Sequence, residues 1–266
     1  MTLARVWSLV SGRSSGPSAP VGSVAYVEPG NQWYSPVVAG TSTLAPRVSG
    51  SAAVRRAQGV LERLECDEYH RYVLNFYRTG LDRFGDGWNH ADLYTALSGL
   101  SLALQPRRYL EIGVRRGHSM AMALTQSPAC EAVGFDMWVE NYAGLNNPGK
   151  EFVATQLRGV GFDRVVEFVD GDSARTVPEY FRRHPDAYFD LITVDGDHSA
   201  RGALLDLAHV LPRVSVGGAV VFDDVNNPSH RELRGVWQQT MHEHPEFSGW
   251  MFDEVGFGVA FAVRMR

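Results

Sequence analysis

The chain has 266 residues, 44% of them hydrophobic, and a formal net charge of −5. That length suits one large domain, or one domain with a substantial extension, and supplies enough apolar residues for a sizeable core. The acidic balance argues against general nucleic-acid binding, and no window approaches the ~20 apolar residues of a membrane span.

The first stretch, MTLARVWSLVSGRSS, has an apolar patch that is short and broken by Arg5, so no cleaved signal is expected. Residues 1–58 carry five arginines against one acid, Glu28, and are rich in Ser, Gly and Pro. Residues 1–60 therefore read as an arm, helical or extended and partly irregular. Trp33 and Tyr34 within it favour docking on a partner subunit or over a site, and suggest at least a dimer. The remainder, 61–266, reads as one domain. Apolar spacing predicts a helix over VLERLECDEYHRYVLNFYR and another over HADLYTALSGLSLALQP, stopped by Pro106. These helices, within 61–105, lead into regular alternation. Strands are predicted at RYLEIGV, EAVGFD, VVEFVDGD, DLITVDGD and GGAVVFDDV, with a helix after each. GWMFDEV and FGVAFAVRM then read as two strands joined by a tight turn. Such alternation means an α/β, doubly wound, mostly parallel sheet covered by helices on both faces. Cys66 and Cys130, with no C-x-x-C pair, read as free thiols of a reducing cytosol.

In sheets of this kind ligands bind beyond the carboxyl ends of the strands. Several of this chain's acids fall at those ends. LEIGVRRGHS opens the first β-α unit with the spacing E-x-G-x-x-x-G, not the G-x-G-x-x-G of dinucleotide enzymes. Gly113 permits a turn that a Cβ would block, and Gly117 lets the next helix start close to a ligand. The second strand ends at Asp136, where an acid can accept both hydroxyls of a ribose. The third ends in DGDS, where Asp172 could meet an adenine amino group and Ser173 a nearby nitrogen. Three successive strand tips thus suit one nucleoside-bearing ligand.

In order and spacing, YLEIGVRRGHS, VGFDMW, DGDS, DLITVDGDHS and GGAVVFDDV resemble the class I S-adenosylmethionine-dependent methyltransferases. The resemblance runs from about Tyr109 to Val263 and is greatest to the O-methyltransferases of sugars and natural products, macrocin-type enzymes among them. It implies a seven-stranded Rossmann-like sheet whose last strand is antiparallel. It places Glu111, Gly113 and Gly117 along the methionine end of the cofactor, with His118 and Ser119 reaching its carboxylate. Asp136 would hold the ribose, with Met137 and Trp138 against the adenine.

In that topology the fourth and fifth strands are neighbours, so Asp195, Asp223 and Asp224 converge. Carboxylates clustered without a cation repel strongly. Oxygen ligands favour Mg²⁺, completed by water or substrate oxygens. Metal-dependent catechol and caffeoyl-type O-methyltransferases resemble this arrangement, and Asp195 borders both cofactor and ion. In those families a base often follows the first acid by three positions, here His198. An imidazole kept neutral by a nearby cation can take an alcohol proton near neutrality. Asp197 reads as a cap for the helix near Ser199. Trp88, His90 and Tyr142 are candidate substrate contacts, His90 serving equally well as a helix cap. The function expected is Mg²⁺-dependent methylation of a hydroxyl on a sugar or glycosylated metabolite, in the cytoplasm. A nicotinamide-dependent oxidoreductase and a non-catalytic cofactor-binding protein are the alternatives. No 2-His-1-carboxylate triad is evident in the sequence.

Overall fold

The computed structural model describes residues 37–141, 144 and 146–266. Seven strands form one sheet: β1 (Arg108–Ile112), β2 (Glu131–Asp136), β3 (Val166–Asp170), β4 (Phe189–Val194), β5 (Val214–Asp223), β6 (Phe247–Phe252) and β7 (Val259–Arg264). Their order is β3-β2-β1-β4-β5-β7-β6, and β7 runs antiparallel to both its neighbours. This is the doubly wound sheet with an antiparallel last strand that the sequence predicts. The chain moves outward in opposite directions from the β1–β4 pair, which makes the carboxyl ends of those two strands the switch point. The last two strands are joined by residues 253–258, not by a tight turn.

The alternation of side chains along each strand divides the core in two. On one face Tyr109, Leu191, Val221 and Phe261 pack under α1 (Thr41–Ser49), α2 (Ser51–Leu61), α3 (Glu68–Phe84), α4 (Leu93–Leu104), α5 (His118–Leu124) and α6 (Lys150–Gly159). On the other, Leu110, Ile112, Ile192 and Phe222 pack under α7 (Ser173–Arg183), α8 (Ala200–Val210) and α9 (Glu232–Glu243). Burying one large apolar side chain stabilises by about 1.5–3 kcal/mol, so both layers matter to the fold.

One expectation is made specific and another needs correcting. Within the arm, residues 41–61 form α1 and α2, whose Leu44, Val48, Val54, Ala57 and Leu61 are buried. The spacing is helical, and the drive is tertiary. A Cβ on Gly99 of α4 would lie 2.4 Å from the Arg47 carbonyl oxygen, so α1 and α4 cross where only glycine fits. The helical layer therefore starts at Thr41, and residues 1–36, with Trp33 and Tyr34, lie outside the described residues. The single helix expected over VLERLECDEYHRYVLNFYR is two. α2 stops at Leu61, and Asp67 starts α3 by accepting the His70 amide at 2.7 Å. By contrast α4 ends as predicted, with Gln105 in the left-handed region (φ 50°) ahead of Pro106. Cys66 and Cys130 are free thiols. No helix of the described residues is long and apolar enough to cross a membrane.

Candidate active site

The tips of β1, β2 and β3 build the first half of the site. Gly113 leaves β1 at φ +86°, and a Cβ there would lie 1.9 Å from the Asp195 carbonyl oxygen. Only glycine allows β1 and β4 to diverge at that distance. The following loop is gathered by Asp136. Its Oδ2 accepts the amides of Val114 (2.8 Å) and Arg115 (2.7 Å), and its Oδ1 accepts that of Trp138 (2.5 Å). A carboxylate offers about four acceptor positions, so Asp136 keeps about one free for a ligand. Gly117, at φ +74°, starts α5, and its missing Cβ leaves room for Val153 of α6.

Glu111 carries the glycine loop from within the core. It is fully buried on the same face of β1 as Tyr109. The Ser119 hydroxyl donates to its Oε1 and the Tyr109 hydroxyl to its Oε2, both at 2.5 Å. Burial pushes its carboxyl up to about 8, helped by the charges of Asp195 and Asp136. Glu111 and Ser119 thus tie the glycine loop to the core from beneath. His118 is also buried. Its Nδ1 lies 3.5 Å from the Tyr94 hydroxyl, and its ring stands edge-on to His70 at 4.9 Å. Burial, then the neighbouring His70, drives its pKa down to about 3, so the ring is neutral. His118 Nε2 and the Arg115 guanidinium (Nε and Nη2) are buried without a protein partner. A carboxylate-bearing ligand on this loop would satisfy such donors, so the residues fit the methionine end of S-adenosylmethionine.

At the next tips, Trp138 turns its indole onto Asp170 (Nε1 donates at 2.9 Å) and Phe168, while Met137 is exposed. Asp172 caps α7 by accepting the Ala174 amide at 2.9 Å, and Ser173 is that helix's first residue. Arg116, buried, reaches back to Glu65 (3.2 Å) and Asp67 (3.4 Å) and lies over the Phe152 ring. It clamps the α2–α3 turn to the glycine loop.

The second half lies at the tips of β4 and β5, which pair in parallel up to Val194 and Phe222. His198 sits between two acids, with Nε2 3.1 Å from Asp195 Oδ1 and Nδ1 3.4 Å from Asp224 Oδ2. Burial works against its charged form, but the hydrogen bond to Asp195 and the charges of Asp195, Asp224 and Asp197 outweigh it and raise its pKa. Burial first, then Asp195 and Asp224, holds Asp223 well above the usual carboxylate range; burial and Asp195 likewise raise Asp224. Relief of such repulsion is what a bound cation provides, so the residues fit one. Asp224 adopts φ +64° and accepts from the Asn227 side chain at 3.0 Å. His230 brings its ring to 4.9 Å from that of His198. Asp197 accepts the Ser199 amide at 2.8 Å, and the helix cap itself is Ser199.

Trp88 and His90 form part of an aromatic box. Their rings stack at 5.4 Å, Phe76 closes the side, and Asp92 bonds His90 Nε2 at 3.2 Å. Asp92, not His90, caps α4. Tyr142 lies outside the described residues. Sequence reasoning missed His230, Asn227, Arg115, Arg116 and Tyr69. The Tyr69 phenol, on α3, has its pKa raised by burial and then by the charges of Asp223, Asp92, Asp195 and Asp224. A carboxylate-rich strand tip is visible in a sequence; the residues that other segments bring near it are not.

Residues 110–225 match the methyltransferase domain family. No curated protein matches the chain. Among solved structures it is similar to the O-methyltransferase TomG from Streptomyces achromogenes, involved in tomaymycin synthesis, at 22% identity and TM-score 0.53, over 76% of this chain and 92% of that one. It is also similar to an O-methyltransferase from Bacillus cereus (19%, TM-score 0.51, 64% and 80%). A third is CalS11, a TDP-rhamnose 3'-O-methyltransferase of calicheamicin biosynthesis (19%, TM-score 0.50, 80% and 93%). At these identities the likeness speaks for the fold, and the matched segment spans β1 to the tip of β5. The chain has the Rossmann-like fold of the class I methyltransferases, and its residues 110–225 match the methyltransferase domain family.

Proposed function

We propose that the protein is an S-adenosylmethionine-dependent O-methyltransferase acting on a hydroxyl of a sugar or glycosylated natural product. The observation that carries this reading is the adjacency of two half-sites on one sheet rim. The β1–β3 tips offer Asp136, the Arg115 and His118 donors and the capped Asp172. The β4–β5 tips, one strand away, offer a cluster that handles protons. The sugar-type acceptor is supported by the likeness to a rhamnose methyltransferase and stays an inference about this chain.

When bound, the cofactor supplies an electrophilic sulfonium methyl. The chain's own task is to hold the acceptor oxygen in line with it and remove a proton. His198 hydrogen-bonds Asp195 and makes a charge contact with Asp224, with Asp223 next to Asp224 in the chain. Raised proton affinity makes Asp223 and Asp224 better acceptors than ordinary carboxylates. A divalent cation held among these acids would neutralise them and make the acceptor hydroxyl more acidic; Mg²⁺ was the ion the acids alone suggested.

Calorimetry with S-adenosylhomocysteine, alongside NAD, tests the assignment. Binding of the former and not the latter is expected. Binding of NAD alone would replace this reading with the oxidoreductase one.

A further inference from the structure

We propose that His198, Asp224 and His230 form a binding site for a divalent transition-metal ion of borderline softness, such as Fe²⁺ or Co²⁺, with Asp195 orienting His198. The proposal deepens the methyltransferase reading and rests on it for the ion's purpose.

The site is built by the chain segment that follows β5. Asp224 leaves the strand in the left-handed region, and three turns then bring the chain back. The Asn227 amide donates to the Asp224 carbonyl at 3.1 Å, the His230 amide to the Asn227 carbonyl at 3.0 Å, and the Leu233 amide to the His230 carbonyl at 3.1 Å. The Ser229 amide closes on the Asn227 side chain at 2.9 Å. These bonds set the His230 ring opposite His198, which arrives from the β4 tip. One ligand atom from each of His198, Asp224 and His230 lies within 4.8 Å of the other two. The closest measured pair, His198 Nδ1 and Asp224 Oδ2, is 3.4 Å apart. Two ligands bound at right angles about 2.1 Å from an ion are about 3 Å apart. Small side-chain rotations therefore close the set around an ion.

The surroundings have the form of a metal site's outer layer. A ligating histidine as a rule gives its second ring N–H to a carboxylate, which fixes tautomer and orientation. Here Nδ1 faces Asp224, and Nε2 meets Asp195 at 3.1 Å. The ligating carboxylate is itself held, by the Asn227 amide nitrogen at 3.0 Å. The donor set decides the class of ion. Mg²⁺ and Mn²⁺ favour oxygen ligands, and Mg²⁺ keeps several waters, whereas imidazole suits Fe²⁺ to Zn²⁺. Two imidazoles and one carboxylate on one side of an ion leave its other positions open, enough for two neighbouring oxygens of an acceptor. This differs from the all-oxygen Mg²⁺ trio of Asp195, Asp223 and Asp224. It also corrects the expectation that no 2-His-1-carboxylate set is present.

The test is a titration of the full chain, stripped by chelator, with Co²⁺, read by its visible absorption and by calorimetry. One ion per chain is expected, with no displacement by a tenfold excess of Mg²⁺. His230→Ala and Asp224→Asn should each weaken Co²⁺ binding by at least about 100-fold, while Asp223→Asn should retain it. Wild-type affinity in His230→Ala, loss of the ion in Asp223→Asn alone, ready exchange with Mg²⁺, or no bound Co²⁺ would each overturn the site. S-adenosylhomocysteine binding, measured on the same samples, reports separately on the methyltransferase assignment and on correct folding of each variant.

Discussion

Glu111→Gln isolates the buried acid beneath the glycine loop. The ordinary glutamate pKa is 4.5 and the folded value is about 8, chiefly from burial. The folded state therefore binds the proton more tightly than the unfolded chain does. Its stabilising contribution is complete below about pH 4.5 and is lost as pH rises through about 8. Integrated between about pH 5 and about pH 7.5, one such group lowers stability by about 3 kcal/mol, an upper figure for a buried carboxyl. Glutamine resembles the protonated form. Its amide can donate to the Tyr109 hydroxyl, which then donates to Thr193 Oγ1, 2.8 Å away. The Ser119 hydroxyl still has the side-chain carbonyl to donate to. The variant should therefore lack this pH dependence. The assay is urea unfolding of both proteins at several pH values, and the readout is the difference between the two stability curves. All other titrating groups cancel in that difference. The variant should gain about 3 kcal/mol on the wild type across the range, or roughly 6–12 °C in Tm for a chain of this size. Parallel curves would mean that Glu111 is ionised in the fold and that its burial has been misjudged.

Asp136→Asn replaces an acceptor of the Val114 and Arg115 amides with a donor. It should weaken S-adenosylhomocysteine binding about 10- to 100-fold; unchanged affinity by calorimetry would remove Asp136 from the cofactor site. His198→Ala should lower kcat by about 10²–10⁴-fold with cofactor affinity nearly intact, and a normal rate at neutral pH would exclude the β4–β5 cluster from proton handling. Gly113→Ala forces a Cβ toward the Asp195 carbonyl oxygen at positive φ. Strain and overpacking together should lower stability by about 2–5 kcal/mol, and a neutral result in denaturant unfolding would place the two loops further apart than described.

The α/β alternation was legible because strand and helix periods differ and each unit is bounded by Gly, Pro or Asp. Strand β2, EAVGFD, falls on its predicted residues, and the convergence of Asp195 and Asp224 follows from adjacent parallel strands. The bounds of α1 and α2 were not legible within the helical or extended arm, because the composition of their neighbourhood is that of a loop. What makes them helices is burial against α4, a contact made far along the chain. Glu111 looked like a ligand contact because an acid at a strand end is usually exposed. Only the packing of Tyr109 and Ser119 shows that it points inward. His230 escaped notice for a different reason. A histidine in a polar connection carries no periodic signal, and its approach to His198 depends on the turns that Asn227 directs.

Asp224 holds a backbone conformation that non-glycine residues seldom adopt, at a cost of about 1–3 kcal/mol. Glycine at that position would relax the turn, and asparagine would tolerate it well. Selection of this protein for heat resistance alone would therefore favour removing the carboxylate. The molecule would become sturdier while losing the group that brings His198 and His230 to a common point.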